Sequence, residues 1–462
     1  MKRKKASLLK KLQWRAEFLA FMVVERLLNL VSLETLWNTG AALSGLARLF
    51  ASRWPTVRNN LRTVLGPEAT EEEVAELTRE VFRHTTANLL TSLKGAHVSA
   101  KTVRDSIDVR NLEATKRAFA QGKGIIFVSG HMGNWEFLAQ GMGAFRPDVK
   151  IANIYRPLNN IYLDKILRDR REKRGMKMFA KLTSYHGPLK FVRSQNILGL
   201  LVDQRAGRVG TLTPFFGRLM SMSPLPEFIH KHTGAPVLGV SMKTTAPGKW
   251  TVTFHEPNLK DGETFTTPHM AALLENVIGE SLVDEFWMQN LWRINKRRPL
   301  EIRGKVGPVR LNRDRDKPLY PFSILVRLPD QPERFAETVP ALTALAASRP
   351  DMELHFLARD VLRGPAAASM IPHTFHAIED DHLPEAVQGR LQVALVLTDQ
   401  EIAARELTRH FSGLTYSLPE VEQSNKDWHL VSSDPTLPAE ERWLDALHTL
   451  GLHDPPLQWV YL

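Results

Sequence analysis

The 462-residue chain has no cysteine. That excludes disulfides, a thiol nucleophile and every cysteine-based metal site. It has no Gly-x-Ser-x-Gly elbow either, which removes a second familiar covalent nucleophile. Walker sequences, zinc-finger spacings and aromatic-flanked RNA motifs are all missing, so nothing supports a nucleotide or nucleic-acid partner. Long apolar runs are scarce. The cleanest, Phe18 to Val24, is stopped by Glu25 and Arg26, far short of the ~20 residues that a hydrocarbon core demands. Lys10 and Lys11 break the run that follows Lys2-Arg3-Lys4-Lys5, and no small-residue cleavage site comes after it. The expectation is therefore neither a secretory signal nor a spanning helix.

Acidic residues are deficient in one part of the chain only. Residues 306–462 carry 14 Lys and Arg against 23 Asp and Glu, a net of −9, which leaves 47 against 27, or +20, on residues 1–305. The basic part suits anionic lipid headgroups or an acidic partner protein. The length allows two or three domains. Leu12, Ala16, Leu19, Ala20, Val23, Leu27, Leu30 and Val31 recur at helical spacing, with Lys10, Glu17 and Glu25 elsewhere on the wheel. This predicts an amphipathic helix that either lies in a membrane interface or packs on its own domain. Further helices are expected over residues 53–95, one of them starting at Thr70 before Glu71, Glu72 and Glu73.

The chemistry concentrates in Gly124 to Gly141. Ile125 to Val128 read as a buried strand, and Asn134 as the cap of a helix that opens Trp-Glu-Phe-Leu-Ala. His131 then lies in the strand-to-helix turn, and Glu136 in the first helical turn. A carboxylate on one imidazole nitrogen fixes the tautomer and leaves the other nitrogen free to take a proton from a hydroxyl. The spacing predicts His131 as a general base oriented by Glu136. A structural alternative is a loop-capping histidine beside a solvated glutamate. Strands are also expected at 150–155, 197–202, 234–240 and 250–255. These would bring the loops carrying Arg156, Asp203 and Gln204 to one sheet edge. The other histidines, His230, His232, His373 and His376 among them, have no supporting ligand set, and no metal or cofactor is expected.

Ser-Gly-His-Met-Gly-Asn-Trp-Glu resembles the His-x4-Glu motif of the bacterial lipid A late acyltransferases. The blocks Tyr155-Arg156-Pro157-Leu158-Asn159-Asn160, Leu201-Val202-Asp203-Gln204, Pro214-Phe215-Phe216-Gly217 and Trp292-Arg293 follow in that family's order. The resemblance spans about residues 1–305. It implies that the histidine is the base, that the acid orients it, and that an acyl chain passes from acyl carrier protein to a hydroxyl of a lipid A precursor. It further implies substrate contacts from Asn134, Arg156, Asn159, Arg171, Asp203, Gln204, Phe215, Phe216 and Trp292. Arg156 offers a donor fork for a phosphate or an oxyanion, or is a plain surface charge. Asp203 braces an arginine, binds a sugar hydroxyl or caps its loop. Phe215 and Phe216 line an acyl tunnel or belong to the core, and Trp292 closes the site or rests at a membrane interface.

Beyond Lys305, strands at 323–328, 353–359 and 393–398 alternate with helices around 340–345 and from Asp399, which implies a small parallel sheet. These phrases resemble the N-terminal half of heptosyltransferases, but Glu333-Arg334 stands where that family has Gly-Asp, so this part is expected to be non-catalytic. The fold class expected is α/β: an amphipathic helical region (1–52), a mixed αβ acyltransferase-type domain (53–305) and a smaller Rossmann-like domain (306–462). The expected setting is the cytoplasmic face of a bacterial inner membrane, peripheral or N-terminally anchored. A phospholipid or other glycolipid acceptor, and a catalytically inactive membrane scaffold, are the alternatives.

Overall fold

The computed structural model describes residues 7–141, 149–173, 175–180, 185–305, 307–311, 319–378, 391–397, 414–417, 429–431 and 433–461. The basic Lys2–Lys5 segment and the helix expected from Asp399 lie outside them. The chain forms two compact units, residues 1–216 with 222–291 and residues 217–221 with 292–462. The main division thus comes at 291/292, ahead of the charge change used above.

The first unit opens with helices α1 (Leu8–Leu28), α2 (Leu33–Leu43), α3 (Trp54–Leu65), α4 (Glu71–Ser92) and α5 (Ala100–Ser106), then β1 (Ile107–Arg110). Strand and helix alternate next: α6 (Leu112–Ala120), β2 (Ile125–Ser129), α7 (Trp135–Gly141), β3 (Ile151–Tyr155), α8 (Ile161–Glu172), β4 (Met176–Ala180), α9 (His186–Arg193) and β5 (Ile197–Leu201). In sequence there follow β6 (Thr211–Phe215), β7 (Arg218–Met222), α10 (Leu225–Thr233), β8 (Val237–Ala246), β9 (Lys249–His255) and α11 (Thr267–Gly279).

Seven strands form one sheet in the order β1-β9-β8-β2-β5-β3-β4, parallel throughout except for the antiparallel β8–β9 pair. The middle strand β2 is apolar on both faces because both are covered: Ile125, Ile126 and Val128 are fully buried and Phe127 nearly so. Loops leaving the carboxyl ends of β2, β5 and β3 therefore gather at one edge. Local sequence sets the helix starts. Thr70 and Glu73 make a reciprocal capping box on α4, and the Asn160 side chain caps α8.

Helix α1 turns inward a face that mixes apolar and charged side chains: Trp14, Phe18, Phe21 and Met22 are half-buried, with Phe18 6.2 Å from the Tyr162 ring and Arg170 over the Phe21 ring. Glu25 is buried against Arg170 of α8 and lies 3.0 Å from His97, Glu17 accepts from the Asn160 amide at 2.9 Å, and Arg15 donates to the Tyr162 hydroxyl at 3.1 Å. Leu8, Leu12, Leu19, Val23 and Leu27 are each more than half exposed. The periodicity read from the sequence is present, but its apolar stripe faces away from the domain. The helix also packs on its own domain, through the face opposite those leucines. Among the described residues no helix is long and apolar enough to cross a membrane.

In the second unit β10 (Val309–Leu311), β11 (Phe322–Arg327), α12 (Pro332–Ala347), β12 (Met352–Ala358), α13 (Arg363–Ala368), β13 (Thr374–Ala377), β14 (Val393–Val396), β15 (Leu414–Ser417), β16 (His429–Leu430), α14 (Ala439–Thr449) and β17 (Trp459–Tyr461) follow in order. Six strands pair in parallel as β13-β12-β11-β14-β15-β16, a doubly wound order that reverses between β11 and β14. Its core is built from Ile324, Val326, Phe356, Leu395 and Trp443 with their neighbours. The α/β class expected for both parts is what the chain adopts.

Candidate active site

The site grows out of the register of two adjacent strands. Ser129 of β2 lies opposite Leu201 of β5, so His131 and Asp203 each stand two residues beyond the same rung. His131 Nδ1 is 2.8 Å from Asp203 Oδ1 and 2.9 Å from Oδ2. Gln204 brings its amide nitrogen to 3.4 Å from the other ring nitrogen, Nε2. Trp135 meets the His131 ring edge-on at 5.5 Å, with Phe286 beyond it.

The turn that holds His131 is fixed from below. Gly133 has φ of 54°, and a Cβ there would come within 2.3 Å of the Met242 carbonyl oxygen, so glycine is needed on two counts. Its N–H donates to the Asp284 carbonyl at 2.7 Å, while the Phe286 N–H donates to the His131 carbonyl at 2.9 Å. Met132 and Glu285 form the antiparallel bridge between them. Residues 284–286 thus strap the histidine loop. Asp284 is itself locked: its carboxylate accepts from the Thr244 N–H, the Thr244 and Ser281 hydroxyls and the Asn88 amide, and faces His84 Nδ1 at 2.9 Å.

The carboxylate in contact with His131 is that of Asp203 and not that of Glu136. Glu136 sits in the first turn of α7, as expected, but Arg171 of α8 takes both its oxygens, at 2.8 and 2.6 Å, and the Gln140 amide reaches one of them at 3.3 Å. The physical reason lies in topology. A rigid pair of strand ends delivers Asp203 to Nδ1, whereas the Glu136 side chain lies against a neighbouring helix that carries a bidentate partner. Glu136 still acts on the histidine through space. Burial alone would push His131 down, but the charge and hydrogen bond of Asp203, helped by the Glu136 charge, outweigh it and raise the imidazole above its ordinary value.

Other expected contacts divide. Arg171 and Gln204 join the His131 cluster. Arg156 is exposed just past β3, and Asn159 is exposed in the following turn. Asn134 is buried with both ends in use, its oxygen accepting from the Phe137 N–H at 3.1 Å and its amide donating to Thr91 at 2.9 Å, so it caps α7. Phe215 and Phe216 are buried, their rings 4.7 Å apart, and Phe216 also meets Trp287. Both rings pack in the core of the first unit. Trp292 is half-buried and belongs to the second unit. Among the described residues no three His, Asp or Glu side chains form a metal cluster. Sequence reasoning missed the Asp284-Glu285 strap. No spacing announces it, because both acids act on a turn more than a hundred residues earlier, reached only through the fold.

An imidazole held by an acid on one side and open to a polar group on the other can accept a proton from a hydroxyl. The family described as bacterial lipid A biosynthesis acyltransferase matches residues 1–294. The chain is similar to the lipid A biosynthesis palmitoleoyltransferase of Escherichia coli (strain K12), with 25% identity over 265 residues, 56% of this chain and 85% of that protein. It is similar to the same extent to the lipid A biosynthesis acyltransferase of Shigella flexneri. Among solved structures it resembles a family 9 glycosyl transferase from Veillonella parvula, at 14% identity and a TM-score of 0.25, over 29% of this chain and 43% of that one. It also resembles the glycosyltransferase GlyE of Streptococcus pneumoniae, at 9% identity and a TM-score of 0.20, over 71% of this chain and 99% of that one.

Proposed function

Because the chain belongs to the bacterial lipid A biosynthesis acyltransferases, we propose that it moves a fatty acyl chain from acyl carrier protein to a free hydroxyl of an already acylated lipid A precursor. His131 is the base in this reading. Its Nε2 takes the proton as the hydroxyl oxygen bonds to the thioester carbonyl carbon; the carbon–sulfur bond then breaks, and the leaving sulfur receives that proton from the imidazolium. A thioester is reactive enough for this without an enzyme nucleophile. Asp203 fixes the tautomer and stabilises the imidazolium as it forms. Glu136 holds Arg171 in place, leaving the exposed Arg156 to meet a phosphate of the acceptor.

One observation carries the reading: Nδ1 is occupied by a buried carboxylate, while Nε2 faces the Gln204 amide, where a hydroxyl would stand. The +20 charge of residues 1–305 suits both the acidic carrier and a phosphorylated glycolipid. The outward leucines of α1 suit a peripheral position on the cytoplasmic face of the inner membrane, with the helix lying in the headgroup layer. The second unit is read as a non-catalytic appendage: the turn after β11 is filled by buried Arg327, which donates to the Leu328 carbonyl at 2.6 Å and to Asp330 at 2.9 Å. The test is acyl transfer from a set of carrier-bound donors to a purified lipid A precursor, followed by mass spectrometry. A mass gain of one acyl group, lost in His131→Ala, is expected. Transfer to phospholipid alone, or an unimpaired His131→Ala, would overturn the acceptor or the base respectively.

A further inference from the structure

Behind the histidine and its aspartate lies a second carboxyl that the reaction does not use. Glu285 is 2% exposed and Asp203 4%, and the two carboxyls lie near enough for the Asp203 charge to bear on Glu285. Glu285 Oε2 has no hydrogen-bond donor among the described residues. Its oxygen is pressed so closely on Gly130 that a Cβ at that position would come within 2.3 Å of it. The Met132–Glu285 bridge holds its backbone, so the carboxyl has no room to swing out to water.

Two carboxyls in contact inside the protein cannot both be ionised unless cations compensate. The groups around the pair are few. His131 faces Asp203, Glu136 and Arg171 neutralise each other, and His84 with Asp284 lies on the far side of the strap. Among the described residues no lysine or arginine forms an ion pair with Asp203 or Glu285. Burial, followed by the charge of Asp203, pushes Glu285 well above the usual carboxylate range.

We propose that Asp203 and Glu285 share one proton, carried by Glu285, and that Glu285 acts as a positioning residue, donating to Asp203 and thereby setting both its orientation and its pull on His131. This rests on the reading of His131 as base and deepens it. A hydrogen bond donated to Asp203 stabilises its charge and weakens its hold on the imidazolium proton. His131 consequently sheds its proton at a lower pH than a bare His–Asp pair would allow, and more of it is in the basic form.

The test uses the full-length enzyme with Glu285→Gln and Glu285→Leu. The amide keeps a neutral donor, so Glu285→Gln is expected to leave kcat within a few-fold of the parent and the acidic limb of the rate–pH profile where it was. Glu285→Leu removes the donor. Its kcat is expected to fall about tenfold to a hundredfold, the loss typical when an outer partner of a metal-bound histidine is removed, and its acidic limb to move to higher pH. If Glu285 were ionised instead, Glu285→Gln would delete a negative charge and move the limb to lower pH, which overturns the proposal. A spectroscopic measurement needs no folded leucine variant: isotope-edited infrared spectra of the parent at neutral pH should show a protonated-carboxyl stretch that Glu285→Gln abolishes. Its absence overturns the proposal even if His131→Ala is inactive, whereas an active His131→Ala would instead remove the reading beneath it.

Discussion

His131 Nδ1 and Asp203 Oδ1 are 2.8 Å apart, although 72 residues of chain separate them. What joins them is the pairing of β2 with β5, so the contact is a property of sheet order and register. The first prediction concerns the other ring nitrogen, which faces Gln204. His131→Ala should lower kcat by about 10²- to 10⁴-fold, the usual contribution of a positioned general base. The circular dichroism and melting curve should be those of the parent, because the ring is partly exposed and fills no core space. Turnover within tenfold of the parent would rule out a proton-transfer role.

The second prediction separates the two acids. The imidazole must be neutral to act, so the rate should rise with pH through the His131 pKa, which lies above the ordinary histidine value because Asp203 and Glu136 outweigh the effect of burial. Asp203→Asn removes the main charge and misassigns the tautomer: the acidic limb should move to lower pH and kcat should fall by about 10²-fold or more. Glu136→Gln should also move the limb down, through loss of the weaker charge, but its main effect should be on KM, shared with Arg171→Ala, since the bidentate pair is what it breaks. If Glu136→Gln proves as damaging to kcat as Asp203→Asn, the assignment of roles is reversed.

Much of this was legible in the sequence. Ile125–Val128, 150–155 and 197–202 announce buried strands because parallel strands covered on both faces are continuously apolar, and the polar residues at their ends announce the rim. The histidine and the residues Asp203, Gln204 and Arg171 around it were all singled out. What was not legible is which acid touches His131. Glu136 is nearer in sequence, and helical spacing alone cannot reveal that Arg171, on a helix that begins 25 residues later, takes both its oxygens. Nor does a helical wheel say which face turns inward. The leucines of α1 mark one stripe, but Phe18, Phe21 and Glu25 on the other side of the helix are what meet α8.

The third prediction concerns the strap. Asp284 is fully buried, and burial would raise its pKa; the hydrogen bond and charge of His84, with the donors of Thr244, overcome this and hold it below the usual carboxylate range. The lowered value means a stabilising contribution that is complete above the unfolded pKa of about 3.9 and lost as pH falls through the folded one. Asp284→Ala should therefore cost about 3–5 kcal/mol at neutral pH, as for other broken buried pairs, with the deficit shrinking in acid. Denaturant titrations at pH 7 and pH 3.5 measure both. Asp105→Ala, at an exposed carboxylate paired with Lys101, should leave stability nearly unchanged. Equal effects at the two positions would remove the strap's claim to fix the His131 turn.

The fourth prediction tests the outward face of α1. Leu12, Leu19, Val23 and Leu27 recur along one stripe and are each at least 53% exposed, while Glu25 on the opposite side is 1% exposed and held by Arg170. Burying such side chains in a lipid interface gains up to about 1.5–3 kcal/mol each, so changing all four to serine should weaken binding to vesicles containing anionic phospholipid by roughly a hundredfold or more. The inward contacts are untouched, so the variant should stay folded and turn over a detergent-dispersed acceptor at nearly the parental rate. Glu25→Ala should do the reverse. It leaves the leucines in place but strips Arg170 of its carboxylate, loosening α1 from α8 and lowering the melting temperature while vesicle binding persists. Were the serine variant to bind vesicles like the parent, the stripe would not be the membrane-facing surface, and attachment would have to rest on the basic charge of residues 1–305 alone.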